Sequence, residues 1–296
     1  YYNNNIIRRK DKEEMERYLE YCKYQRGLST KTIRAYKLDI GQYLSYCTEQ
    51  GSNKLEKSTL VNYITYLHRV YKPRSAKRKI ASLKAYFNYL AYIDEIEINP
   101  FSRIRINYKE PKMLPKTIDF SELQSLFEKV YYYGNPLERV LFELLFATGG
   151  RIAEICSLRV SDINLEEKYV DIFGKGSKER RINIPNTEVI KALKVYLKGR
   201  KYKSEYLLVN NRGNRLSEQS ARRIVKRYSI MAGIKGGITP HILRHTVATL
   251  LLENDVDIRY IQHILGHSSI STTQIYTHIS TKKQRKILEI KHPRNK

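Results

Sequence analysis

Apolar residues recur at helical spacing through the first third of the chain. Between residues 12 and 92 they fall three and four positions apart, as in Leu83, Phe87 and Leu90, which places them on one face of a helix. The pattern predicts four helices in this region. Ser29 is suited to cap one of them, because its side chain can accept a hydrogen bond from the first helical turn.

The helix introduced by Pro73 differs from the others in carrying basic side chains along its length. These are Arg74, Lys77, Arg78, Lys79 and Lys84. Such a row either faces phosphate groups or forms an ordinary solvated surface, and the helix by itself leaves both interpretations open.

Helical periodicity ends near Asn99-Pro100, and a charged segment with prolines at Pro111 and Pro115 follows. Proline and charge in this combination are typical of a linker between domains. We therefore predict the following divisions: an N-terminal extension (1–11), a helical domain (12–107), a linker (108–117) and a second domain (118–296).

The second domain combines helices with one short β-hairpin. Residues 168–173 and 180–184 alternate apolar and polar positions, with a Gly-Lys-Gly-Ser turn at 174–177 between them. Asp119 begins a capping box at the start of the domain, and an apolar helix ends in the segment 147–150. The predicted fold class is mainly α, with a small β-hairpin or sheet in the second domain.

Helix boundaries are also marked near the C-terminus. Thr239-Pro240 supplies an N-cap and a proline at the first position of a helix that runs through Leu252. Gly266 ends the following helix, and Ser271 begins a capping box whose helix contains Tyr276.

Positive charge greatly exceeds negative charge. The 55 Lys and Arg residues against 30 Asp and Glu residues give a formal net charge of +25, and the excess is spread over both domains. Neutralising phosphates releases condensed counterions, so a basic excess of this size favours polyanionic partners. Nucleic acid is therefore the expected partner of both domains.

Cysteine usage and hydropathy indicate the compartment. Cys22, Cys47 and Cys156 lie in apolar helical segments without disulfide or metal-site spacing, so we expect reduced core residues. No apolar run approaches the roughly 20 residues that span a bilayer. We expect a cytoplasmic, nucleoid-associated protein without membrane contact.

A nucleotide-binding P-loop is excluded by the residues around Lys175. The motif needs a glycine five positions before Gly174, where Tyr169 stands, and a hydroxyl residue after the lysine, where Gly176 stands.

A zinc hydrolase is also disfavoured. His241 and His245 have the spacing of a zinc-binding helix, but Ile242 replaces the catalytic glutamate and Arg244 would place a cation beside the metal. We expect no metal site.

A set of side chains suited to anion binding and proton transfer remains. In chain order they are Arg151, Lys175, His241, Arg244, His267 and Tyr276. The segments that contain them resemble, in the same order, five sequence boxes of the tyrosine recombinases, and most closely those of the two-domain Xer-like and phage-integrase members. These segments are residues 147–154, 173–180, 241–245, 265–268 and 274–278. The resemblance extends from about Glu14 to the C-terminus, with a departure at Gly150, where the family usually has a larger apolar residue.

The resemblance implies a strand-transfer reaction. Tyr276 would attack a DNA phosphodiester to form a 3′-phosphotyrosine, and Lys175 would protonate the leaving 5′ oxygen. His241 would assist proton transfer and His267 would bond the phosphate. Because the phosphotyrosine conserves the bond energy for rejoining, the reaction would need neither ATP nor Mg²⁺, and no cofactor is expected.

Arginine suits the remaining task of holding the anionic phosphate. The forked guanidiniums of Arg151 and Arg244 can each bind non-bridging oxygens through two hydrogen bonds. A free tyrosine, with a pKa of about 10, is only about a thousandth ionised at pH 7, so nearby cations must activate it. The resemblance also implies that Glu154 orients these groups, although an ordinary helix-surface charge is the alternative.

The resemblance further implies a two-domain clamp around duplex DNA, with a SAM-like core-binding domain and a catalytic domain. Phosphate contacts would come from the basic helix of the first domain, through Arg74, Lys77, Arg78 and Lys84. Major-groove contacts would come from a helix at Ser217–Tyr228, through Arg222, Arg223 and Lys226.

The expected partners are double-stranded DNA with paired recombination half-sites and further copies of the chain, as a dimer on one site and a tetramer in the synapse. The segment Ile279–Lys291 has an apolar group at Ile287, Leu288 and Ile290 that is too short to bury itself. It would dock on its own domain or, as the resemblance to Xer-like proteins implies, on a neighbouring subunit.

Two other functions fit the same fold. A catalytically silent DNA-binding regulator would lack the complete set of side chains, and a type IB topoisomerase would act without a defined site or a multi-subunit synapse. Within the recombinases, the sequence leaves open whether the protein resolves dimers or integrates and excises a mobile element.

Overall fold

The chain separates into two compact units, Tyr1–Lys112 and Met113–Lys296, in a computed structural model. The structure describes residues 7–104, 116–174, 179–184 and 187–266. Of the predicted linker, only Lys116 and Thr117 lie within these ranges.

The described part of the first unit contains the four helices that the apolar spacing predicts. They are α1 (Arg9–Tyr24), α2 (Thr30–Glu49), α3 (Lys57–Val70) and α4 (Pro73–Tyr92), followed by a short 3₁₀ turn, Pro100–Arg103. Ser29 caps α2, since its hydroxyl accepts a hydrogen bond from the Thr32 amide at 3.2 Å.

Tyrosine rings fill much of the core of the first unit. Tyr43 is fully buried and packs edge-on against Tyr63 and Phe87, with ring centroids 5.0 and 5.9 Å away. Its hydroxyl donates to the carbonyl of Lys54 at 2.6 Å. A buried tyrosine thus supplies aromatic packing while its polar end remains hydrogen-bonded.

The described part of the second unit is also mainly helical, with one small sheet. Its helices are α5 (Phe120–Tyr133), α6 (Pro136–Thr148), α7 (Ile152–Ser157), α8 (Thr187–Lys198), α9 (Glu218–Met231), α10 (Pro240–Glu253) and α11 (Ile258–Leu265), and its strands are β1 (Ile163–Asn164), β2 (Tyr169–Phe173) and β3 (Glu179–Asn183). The predicted fold class is confirmed.

The sheet is antiparallel in the order β1-β2-β3, so a short strand extends the predicted hairpin. Val170 and Ile172 of β2 are buried and pair with Ile182 and Arg180 of β3. One face of the hairpin therefore packs on the core, and Arg180 lies on that face. Of the predicted turn at 174–177, only Gly174 is among the described residues.

Two helices in the second unit begin or end at the capping residues predicted for them. Thr239 caps α10 by accepting from the Ile242 amide at 3.3 Å, and Gly266 ends α11 with a left-handed φ of 63°, a conformation that favours glycine. Helix α10 packs against α6 and α11, and α11 also contacts β3. The start of α10 and the ends of α6 and α11 thus meet.

The three cysteines are buried and free, as predicted. Within the described ranges, the helices are too short or too polar to cross a bilayer.

Candidate active site

The structure describes four of the residues to which the resemblance assigns catalytic or supporting roles, namely Arg151, Glu154, His241 and Arg244. Lys175, His267 and Tyr276 lie outside the described residues. The site can therefore be built from its two arginines, its acidic residue and its first histidine.

Gly149 ends α6 and allows Arg151 to begin α7. Its φ of 55° is left-handed, and a Cβ atom there would lie 2.7 Å from Cδ2 of Leu265. Both the conformation and the close approach of α11 therefore require glycine. This turn places Arg151 at the N-cap of α7.

Gly150, where the resemblance departs from the family pattern, fits its surroundings closely. A Cβ atom would lie 2.7 Å from Cδ1 of Ile155 and 2.9 Å from the hydroxyl of Thr148. The Thr148 hydroxyl also accepts a hydrogen bond from the Gly150 amide at 3.0 Å. A larger residue would need both side chains to shift.

Arg244 lies in the first half of α10 and is only 2% exposed. Its Nη1 donates to the carbonyl of Gly149 at 2.8 Å, and its Nη2 donates to the carbonyl of Leu265 at 2.6 Å. The forked guanidinium thereby connects the ends of α6 and α11. A lysine has no rigid fork that could span both carbonyls.

Arg151 reaches the same turn of α11. Its Nη2 donates to the carbonyl of Gly266 at 3.3 Å, and about half of its side chain remains exposed. The two arginines predicted to hold the phosphate therefore contact consecutive carbonyls, those of Leu265 and Gly266. The next residue in the chain is His267.

Glu154 is buried, with 6% exposure, and so is not a helix-surface charge. Its Oε1 accepts from Nη1 of Arg151 at 2.7 Å, and its Oε2 accepts from the Arg151 amide at 2.9 Å and from Nη2 of Arg180 at 2.7 Å. Burial alone would raise the pKa of Glu154, but the hydrogen bonds from Arg180 and Arg151 lower it below its ordinary value. The carboxylate therefore stays ionised and holds Arg151.

His241 lies on the first turn of α10 and is exposed. The ring of His245, one turn further, packs edge-on against it, with centroids 4.2 Å apart and planes at 70°. Burial, together with the charges of His241 and Arg244, lowers the pKa of His245 to about 4. His245 therefore stays neutral beside the two residues predicted to act on the phosphate.

Neither Arg180 nor His245 is predicted from the sequence to act in the site, although both contact site residues. Strand alternation contains a signal for Arg180, because it places this residue on the same face as the buried Ile182. A charged side chain on a core-facing position needs a buried partner, and Glu154 is that partner.

The basic helix of the first unit is α4, and its residues divide into two groups. Arg74, Lys77 and Lys84 are exposed. Arg78 is half exposed and pairs with the buried Asp39, with Nη2 2.9 Å from Oδ1. Lys79 also donates to Asp39 and is only 5% exposed, so the expectation that it belongs to the basic face is wrong.

The predicted groove-contacting helix is α9, which extends to Met231 instead of ending near Tyr228. Arg222, Arg223 and Lys226 are all exposed on it. Arg222 pairs with Glu218 of the same helix at 2.6 Å. Such an exposed ion pair is weak enough to exchange for a phosphate contact.

Among the side chains that the structure describes, there is no cluster of three or more His, Cys, Asp or Glu residues arranged to hold a metal ion.

Comparison with known proteins covers nearly the whole chain. Residues 116–283 match the phage integrase family, and residues 15–92 match the phage integrase N-terminal SAM-like domain. A tyrosine recombinase of Agathobacter rectalis is 44% identical over 293 residues, which is 94% of this chain and 95% of that protein. Tyrosine recombinase XerD of Listeria monocytogenes is 34% identical, over 95% of this chain and 98% of its own.

A solved structure agrees in fold. The XerH site-specific recombinase, bound to its difH substrate in a pre-cleavage complex, matches with a TM-score of 0.74 and 25% identity over 92% of this chain and 83% of that one. The family predicted from the five sequence boxes is confirmed. The chain therefore belongs to the phage integrase family and is a tyrosine recombinase.

Proposed function

We propose that this recombinase exchanges DNA strands at a defined site, with Arg151 and Arg244 holding the scissile phosphate and Tyr276 as nucleophile. The observation that carries the proposal is the contact of both arginines with consecutive carbonyls at the end of α11. Those carbonyls belong to the two residues that directly precede His267 in the chain, so both arginines are held at the segment that leads into a third group proposed to act on the phosphate. Hydrogen-bond donors that are already oriented in this way stabilise the negative charge that develops in the transition state.

The proposed reaction is a balanced transesterification. The Tyr276 hydroxyl oxygen bonds to phosphorus and loses its proton with the help of His241. The bond from phosphorus to the 5′ oxygen breaks, and Lys175 supplies the proton that this oxygen gains. A 5′ hydroxyl from a partner strand then reverses the steps, releases Tyr276 and completes the exchange.

Binding to duplex DNA is assigned to both units. We propose residues 12–107 as the core-binding domain and 118–296 as the catalytic domain. The exposed positions Arg74, Lys77 and Lys84, together with the half-exposed Arg78, suit phosphate contacts, and Arg222, Arg223 and Lys226 suit the major groove. The XerH relative is bound to difH DNA, and we propose a DNA substrate with paired half-sites here, bound by a dimer and synapsed by a tetramer on the nucleoid.

The C-terminal segment 279–291 is proposed to dock on a neighbouring subunit. A cavity of about 610 Å³ in the second unit offers a mostly apolar surface that includes Phe146, Val247, Leu250 and Ile264. This surface fits docking on the segment's own domain and on a neighbour alike, and the resemblance to Xer-like proteins is what favours the neighbour. The apolar group in the segment would find a matching surface there.

A plasmid assay tests the proposal against its two alternatives. Wild-type protein is incubated in EDTA with supercoiled plasmid that carries two copies of a site selected for tight binding, and the products are separated with and without protease. Recombined circles and protease-sensitive covalent complexes that require the site support the proposal. Binding without covalent complexes would instead indicate a silent regulator, and relaxation of plasmids that lack the site would indicate a topoisomerase.

A further inference from the structure

Arg180 occupies an unusual position for an arginine. On β3 it shares the core-facing side with Ile182, and it is 6% exposed. Its neighbour Arg181 lies on the outer face, where it pairs with Asp171 at 2.8 Å and stacks over Tyr169. Burying a guanidinium costs free energy unless its hydrogen bonds are satisfied, so the partners of Arg180 indicate what it does.

Both described partners of Arg180 belong to the site. Its Nη2 donates to Oε2 of Glu154 at 2.7 Å, and its Nε donates to the carbonyl of Ile264 at 2.9 Å. Its Nη1 approaches Gly266 so closely that a Cβ atom on that residue would lie 2.8 Å away. Arg180 therefore connects the carboxylate on α7 to the last turn of α11.

The same carboxylate and the same turn of α11 also hold Arg151. Glu154 accepts from Nη1 of Arg151 at 2.7 Å, and the Gly266 carbonyl accepts from Nη2 at 3.3 Å. With Arg244 on the Leu265 carbonyl, three arginines contact three successive carbonyls, those of Ile264, Leu265 and Gly266. Arg180 and Arg244 are the buried members of this set, and Arg180 is the one that also binds Glu154, the carboxylate that holds Arg151.

We propose that Arg180 is a positioning residue for strand cleavage, which fixes Glu154 and the end of α11 so that Arg151 is held ready for the phosphate. The inference rests on the proposed phosphate-binding role of Arg151. Without Arg180, Glu154 would remain buried with one cationic partner fewer, and Arg151 would lose a fixed position. Lysine would not replace it, because one ammonium cannot reproduce the forked contacts to a carboxylate and a carbonyl.

The test compares cleavage of a normal phosphodiester with cleavage of a methylphosphonate at the same position. A methylphosphonate replaces one charged non-bridging oxygen by a methyl group, so it needs less help from Arg151. We expect Arg180→Gln to lower the cleavage rate on the phosphodiester by roughly 10²-fold, the usual effect of losing a preorganised donor. On the methylphosphonate the loss should shrink to under about 10-fold, as it should for Arg151→Ala. Arg181→Gln, on the outer face of the same strand, is the matched control and should behave as wild type on both substrates.

Coupling to Arg151 gives a second readout. In an Arg151→Ala background, adding Arg180→Gln should cause little further loss, because the group that Arg180 positions is already absent. Equal losses on the two substrates, or losses that multiply in the double variant, would overturn the proposal.

Folding is followed by thermal unfolding, and Arg180→Lys, which keeps the buried charge, serves where Arg180→Gln does not fold. Failure of both variants to fold would make Arg180 a structural residue and would also overturn the proposal. If Arg151→Ala itself were equally impaired on both substrates, the phosphate-binding role of Arg151 would fail instead.

Discussion

Nη2 of Arg244 lies 2.6 Å from the carbonyl oxygen of Leu265, and this contact fixes a side chain on α10 to the last turn of α11. Arg244 is almost completely buried, so its charge and direction are set before any substrate arrives. Catalytic donors that are already oriented need no reorganisation during the reaction. Helices α10 and α11 are thus connected by one of the groups proposed to act on the phosphate.

Replacement of Arg244 by lysine tests this connection. Lysine would leave at least one of the carbonyls of Gly149 and Leu265 without its donor, which costs about 1–3 kcal/mol in the free energy of unfolding. We expect cleavage to fall by roughly 10²–10³-fold, while affinity for the duplex stays close to that of wild type. Arg259→Lys, on the exposed side of α11 and outside the proposed phosphate and DNA contacts, is a control for charge-conserving substitution. Cleavage by Arg244→Lys at the wild-type rate would contradict the assignment.

The lowered pKa of His245 predicts how the free energy of unfolding depends on pH. Its pKa is lowered from 6.5 to about 4 in the folded protein, so between these values the unfolded chain binds more protons than the native one. Stability should therefore fall as the pH drops from about 6.5 towards 4, by at most about 1.4 kcal/mol per pH unit from this group. Denaturant unfolding at pH 7, 6 and 5 measures the slope.

Substitution of His245 identifies the source of that slope. His245→Gln should reduce the fall in stability over this range, whereas His263→Gln, which changes an exposed histidine of α11, should leave it unchanged. An unaltered slope in His245→Gln would show that other groups cause the pH dependence.

Lys175 can be tested through the leaving group. A 5′-bridging phosphorothiolate releases a thiolate, which leaves without protonation. Lys175→Ala should therefore impair cleavage of the ordinary phosphodiester much more than cleavage of the phosphorothiolate, measured on otherwise identical duplexes. Similar losses on the two substrates would remove Lys175 from the general-acid role.

Much of the fold could be predicted from the sequence because local signals dominate it. Ser29, Thr239 and Gly266 mark helix ends through capping and a left-handed turn, and each helix end is found where the residue type predicts it. The end of α9 also carries such a signal, since Gly233 follows the C-cap Ala232 with a left-handed φ of 73°, but the prediction that ended the helix near Tyr228 did not use it.

The site was harder to predict, because its contacts join residues far apart in the chain. Arg151 and Arg244 could be chosen by their chemistry and order, but nothing local indicates that both contact the end of α11. For Lys79, the prediction of a surface position was wrong. Its charge suggested exposure, whereas Asp39 on another helix holds it inside the first unit. A buried partner supplied by a distant segment cannot be inferred from one helix.

Assembly is tested by removing the C-terminal segment. Deletion of residues 282–296 should leave binding to a single half-site near normal but weaken cooperative binding to paired half-sites and reduce recombination. Gel-shift titrations with one and two half-sites, combined with a recombination assay, measure the three properties. A truncated protein that is unfolded as a monomer, or that synapses as well as the full chain, would contradict docking on a neighbour.

The identity of the nucleophile is tested most directly with a nicked suicide substrate, which traps the covalent intermediate because the cleaved strand loses its 5′ end. Wild-type protein should form an adduct in excess EDTA, and peptide mapping should place the DNA on Tyr276. Tyr276→Phe removes only the nucleophilic oxygen, so it should bind the same duplex with unchanged affinity and form no adduct. An adduct retained by Tyr276→Phe, or mapped to another residue in the wild type, would contradict the account.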